Sequence, residues 1–110
     1  MIEDRLKKIE EQIGAASNIP AETQAELLNL LAALRSEIAA LPSTREDEAR
    51  SIATFAEASA HEATRSAKKP QLLDAALRGL KGSVEEFETS HPDLAAVLNR
   101  LAAVLANMGI

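Results

Sequence analysis

Two short stretches hold the side chains that could do chemistry. In Glu-Glu-Phe-Glu-Thr-Ser-His-Pro-Asp, residues 85–93, Glu88 and His91 stand three apart. That is the Glu-x-x-His spacing with which di-iron four-helix bundles present two ligands from one helix face. Such a centre takes two of these pairs plus two further glutamates, because each metal needs several donors at once. In Ser-Ala-His-Glu-Ala-Thr-Arg, residues 59–65, His61 has Glu57 four before it and Glu62 beside it. Neither spacing makes a second Glu-x-x-His. A metal set of His61, His91, Glu57 and Glu88 therefore closes only if two copies of the chain meet across a two-fold axis. His61-Glu62 also begins the zinc-protease pattern, but Arg65 stands where its second histidine is required.

A structural reading competes at both places. Ser90 or His91 can cap a helix, Pro92 suits its first turn, and Asp93 faces the positive end of its dipole. Phe87, His91 and Leu94 keep the four-three alternation of a heptad, so the helices on either side could form one rod kinked at Pro92. At 1.5 Å per residue such a rod would span roughly 58 Å. Glu62 and Arg65, three apart, suit a solvated helix face, and a milder alternative puts Glu57, His61 and Arg65 in a polar patch between copies. Full ligand sets are missing, so the structural reading is preferred and no metal or cofactor is expected.

Other catalytic arrangements are missing too. The chain has no cysteine to act as nucleophile or thiolate ligand. No glycine-rich loop follows a strand and no serine sits in a strained elbow. Glu85, Glu86 and Glu88 are acids of the kind an exposed helix face normally solvates. The expectation is a protein that is not an enzyme.

Composition says what must carry these side chains. Of 110 residues, 46% are apolar, yet the aromatics are only Phe55 and Phe87. Alanine and leucine fill the rest, with Glu, Lys, Arg and Gln, the strong helix formers. One all-α domain over 1–110 follows. The net charge of -5 comes from 17 acids and 12 bases spread along the chain, without a basic block, which argues against nucleic acid. Seven charges in the first 15 residues exclude a signal peptide there. The longest weakly charged run, 94–110, is too short and polar to span a membrane. A polar face nearly free of lysine also makes it a poor interfacial helix. A cytoplasmic protein is expected.

Breaks at Ser-Asn-Ile-Pro, Leu-Pro-Ser-Thr, Lys-Lys-Pro and Ser-His-Pro divide the pattern into helices of about 2–16, 20–41, 44–67, 70–89 and 92–108. The first is striped by Ile2, Leu6, Ile9 and Ile13, with Glu3-Lys7 and Asp4-Lys8 spaced to support its outer face. Leu27, Leu31, Leu34, Ile38 and Leu41 form the second seam, which Leu28 and Leu30 widen. Ser43 with Glu46, or Thr44 with Asp47, has the spacing of a capping box for the third. That helix then carries alanines at 53, 56, 60, 63 and 67, a row expected to face Ala75, Gly79 and Ser83 of the fourth in a tight antiparallel hairpin. The fifth, stopped by Gly109, is apolar nearly all round.

Four helices, two of them narrowly striped, look insufficient to cover that fifth helix. The chain is accordingly expected to form an elongated hairpin or bundle with coiled-coil-like Leu/Ala seams. It would associate with itself, as a dimer first, in the manner of a scaffold or a module for an unidentified protein partner. The expected anchors are Leu31, Leu34, Ile38, Phe55, Leu80, Val84, Phe87, Leu94, Leu98, Leu101 and Leu105.

Three segments, Leu-Leu-Asn-Leu-Leu-Ala-Ala-Leu-Arg-Ser-Glu-Ile-Ala-Ala-Leu from 27, Ser-Ile-Ala-Thr-Phe-Ala-Glu-Ala-Ser-Ala-His-Glu-Ala-Thr-Arg from 51, and 83–110 with its Ser-His-Pro and Asn-Met-Gly-Ile, carry a likeness. Together they resemble the domain-of-unknown-function family 4404 of small bacterial proteins. The resemblance implies a short, soluble, helical protein. It brings no activity and no catalytic residues, and it draws attention to His61, Arg65 and His91 beyond their packing.

Overall fold

Pro70 opens a helix because its missing N–H is one the first turn leaves unbonded anyway, and the amides of Leu72 and Leu73 close that turn onto the Lys69 carbonyl. Pro92 does the same, with the Ala95 amide bonding the His91 carbonyl at 3.1 Å. A computed structural model describes residues 2–108 and contains α1 (Ile2–Ala15), α2 (Ala21–Ala39), a short 3-10 turn (Ser43–Arg45), α3 (Glu46–Thr64), α4 (Pro70–Glu85) and α5 (Pro92–Met108). Gly109, the expected stop of the last helix, lies outside the described residues. Every expected helix is present, and the expected ends differ by up to four residues.

The helices close a ring in the order α1, α2, α5, α4, α3, with α3 also touching α5 across it. The core runs from Leu6, Ile9 and Ile13 through Leu27, Leu31 and Leu34 to Leu94, Leu98, Leu101 and Leu105. The whole measures 38 × 24 × 22 Å with a radius of gyration of 12.9 Å. That radius matches the roughly 13 Å of a compact chain of this length. The elongated shape and the 58 Å rod are therefore corrected. Residues 86–90 turn the chain back, the His91 amide bonding the Phe87 carbonyl at 2.7 Å, and α5 folds onto α4.

Side chains tie the helix ends together. Gln24 of α2 donates to the carbonyls of Ile13 and Gly14 at the end of α1. Lys68 stands between two C-termini, donating to the Ala63 carbonyl at 2.5 Å and the Met108 carbonyl at 3.0 Å. There its charge meets the negative ends of both dipoles. The expected capping box is not formed: the 3-10 turn occupies Ser43–Arg45 and α3 begins without a side-chain cap. Glu3 is bonded not to Lys7 but to Arg35 of α2, which also takes Glu10 at 2.8 Å. Those two carboxylates, Glu3 first, hold the Arg35 guanidinium above its ordinary pKa.

The α3–α4 contact is where small residues decide the geometry. Ala53, Ala56, Ala60 and Ala63 are buried. Ser59 is buried among them, its hydroxyl without a hydrogen-bond partner among the described residues. Opposite Phe55 lies Gly79. A Cβ built there would stand 2.2 Å from Phe55 Cε1 and 2.3 Å from Cδ1, so the ring rests on bare glycine backbone. This is the packing reason for a residue that costs about 1 kcal/mol relative to alanine in a helix interior. It makes a sign-reversing cycle. Gly79→Ala lowers stability in the parent chain because the ring must leave. In a Phe55→Ala background the same change raises stability by about 0.5–1 kcal/mol. Urea denaturation of the four proteins measures both signs.

Candidate functional site

The Glu88-x-x-His91 pair lies at the α4–α5 turn. Phe87 there is fully buried, and the His91 ring meets it edge-on with centroids 5.6 Å apart. Arg45 covers Phe87 from the start of α3, its guanidinium carbon 4.5 Å from the ring centroid. His91 Nδ1 and the Ser90 hydroxyl are 3.0 Å apart, so Ser90 serves the histidine rather than the amides of α5. Glu88 is exposed. The pair is thus built around an aromatic plug that seals one end of the core.

His61 belongs to another region. It is exposed on α3, its Nε2 3.9 Å from Glu62, which Arg65 holds at 2.9 Å. Glu57 is taken by Arg5 of α1 at 2.8 Å. Arg5, Glu57, His61 and Glu62 line an open trough of about 620 Å³ between α1 and α3, together with Lys8, Glu11, Gln12 and Thr54. The expected patch of Glu57, His61 and Arg65 is therefore divided, one acid turned to α1 and the arginine to its own helix. Arg45 marks the His91 end, and His61 lies fifteen residues along α3 from Glu46, a rise of about 22 Å. One chain cannot bring the His61 and His91 pairs together. Among the described residues no three His, Cys, Asp or Glu side chains are grouped to hold a metal ion.

The expected interface anchors have a different position from the one their periodicity suggested. Leu31, Leu34, Leu80, Val84, Phe87, Leu94, Leu98, Leu101 and Leu105 are buried within this one chain. Ile38 packs on the edge of the same core. Phe55 is 37% exposed, over Gly79. The premise that α5 needs a second chain is corrected: α2, α3 and α4 enclose it on three sides.

A depression with an apolar floor lies on the outer side of the last two helices. Between α4 and α5 a groove of about 570 Å³ is lined by Leu77, Ala102, Ala103 and Ala106, with Asp74, Arg78, Lys81 and Asn99 around them. Leu77 is only partly buried, and Arg78 reaches back to Asp74 at 2.9 Å along its own helix. None of these residues except Leu77 falls on a leucine seam, so the heptad pattern does not mark them. The signal was the alanine-rich outer side of the fifth helix. No helix among the described residues is long and apolar enough to cross a membrane.

No curated protein matches the chain, and no solved structure does. A family model described as a domain of unknown function, DUF4404, matches residues 27–110. The match starts within α2 and runs through the groove, the aromatic plug and both histidines, leaving α1 outside it. It agrees with the likeness seen in the three segments quoted from the sequence: the chain belongs to the DUF4404 family.

Proposed function

We propose that the protein is a non-enzymatic helical scaffold that works by association, forming a dimer with a second copy of itself. The observation that carries this is the α4–α5 groove, a depression floored by Leu77 and three alanines in a molecule whose other large apolar side chains are mostly spent on its own core. Interface centres are depleted in charge and rimmed by polar groups, and this groove has that composition. Several of the ionisable groups that first suggested chemistry are instead held in structural pairs: Glu57 with Arg5, Glu62 with Arg65, His91 with Ser90 and Phe87. Sedimentation velocity from low to high micromolar chain is the test. A concentration-dependent shift to a dimer is expected, and a chain that stays monomeric throughout removes the proposal.

A further inference from the structure

The two ends of helix α4 carry charges the wrong way round for its dipole. Lys69 precedes its first turn, no acid lies in that turn, and Glu85 and Glu86 close its C-terminal end. A helix N-terminus favours acids and a C-terminus favours bases, so each of these charges is unfavourable within the isolated chain. A second α4 lying antiparallel removes the conflict, because it brings its acidic end to the basic end of the first. The outer face of α4 carries a second set of charges, in the opposite sense, acid before base, closer to its middle. Asp74, Leu77, Arg78 and Lys81 follow at helical spacing on the side that borders the groove. Asp74 and Lys81 lie at equal distances on either side of the midpoint between Leu77 and Arg78.

We infer that two copies dock antiparallel through α4 about a two-fold axis between Leu77 and Arg78. Each Asp74 then faces the other copy's Lys81, and each Leu77 enters the groove of the other copy over Ala102, Ala103 and Ala106. The arrangement is isologous, one patch meeting itself, so it closes at two copies. The Asp74–Arg78 pair within each helix is no obstacle. Both side chains are more than half exposed, and such a pair is worth little in water. This register rests on the association proposed above and adds the face, the axis and the facing charges.

The chain has no cysteine, so one introduced thiol reports on one position. Arg78→Cys, next to the axis, is expected to cross-link rapidly through a short bis-maleimide, while Ser17→Cys, in the turn after α1, is not. Lys81→Glu should weaken the dimer about tenfold by setting like charges opposite each other. Adding Asp74→Lys to it should restore the parent affinity, since the swapped charges match again. Circular dichroism of each variant confirms folding, and these positions are exposed. If the parent chain dimerises while Arg78→Cys fails to cross-link and the charge swap changes nothing, this register is wrong and association stands. If the parent is monomeric, both fall.

Discussion

Phe87→Ala is expected to lower stability by about 3–5 kcal/mol, the cost of truncating a fully buried aromatic side chain without refilling its space. The ring has no exposed surface and lies where the chain turns from α4 into α5. Removing it strips His91 of its edge-on neighbour and Arg45 of the ring beneath its guanidinium. Nε of Arg45 is buried without a hydrogen-bond partner among the described residues, and the aromatic face lies against that guanidinium. A domain of this size has about 5–15 kcal/mol in total, so the variant sits close to unfolding. Phe87→Leu, which keeps most of the volume, should lose much less. Thermal and urea unfolding followed by circular dichroism give both values. A loss below about 1 kcal/mol for alanine would show that the plug is not closing the core.

Leu98→Ala is the second large effect, about 2–5 kcal/mol. Its distinguishing feature is its dependence on concentration. Leu98 has no exposed surface in the single chain, and its cover comes from the same chain's core. The loss should therefore be the same at low and high micromolar protein. An anchor in a dimer interface would behave otherwise, because its contribution grows with chain concentration. Denaturation midpoints at two concentrations well apart separate these cases. A loss that disappears on dilution would return Leu98 to the interface for which its heptad position first suggested it.

The two predictions concern residues whose spacing was plain and whose surroundings were not. Leu94, Leu98, Leu101 and Leu105 repeat at helical intervals, and that makes one face of α5 apolar whatever lies against it. Periodicity is silent on whether the cover belongs to the same chain. The ring order settles this by placing α2, α3 and α4 around α5. The Glu88-x-x-His91 spacing was equally visible, yet its meaning came from Arg45, forty-two residues before Phe87 in sequence and 4.5 Å from its ring. The groove between α4 and α5 was the least legible part. Its floor is alanine, which reads in sequence as helix propensity rather than as surface.

By itself the sequence determined the all-α class and the breaks at Pro70 and Pro92. Those follow from local causes: strong helix formers, a ring that fixes φ, and a missing amide proton. It also foresaw a packing reason for Gly79, because a glycine at an inner helix position needs a neighbour to justify it, but the neighbour is the Phe55 ring and not the alanine row, and Ala67 and Ala75 are exposed. Tertiary structure alone decided that the chain reverses at 86–90 instead of running on as a rod. Pro92 is compatible with a kink and with a fresh start, and the unbroken heptad through His91 suits both. What separates them is burial. Folding α5 back onto α4, α2 and α3 covers Leu94, Leu98, Leu101 and Leu105 within one molecule, whereas a straight rod would leave them in water.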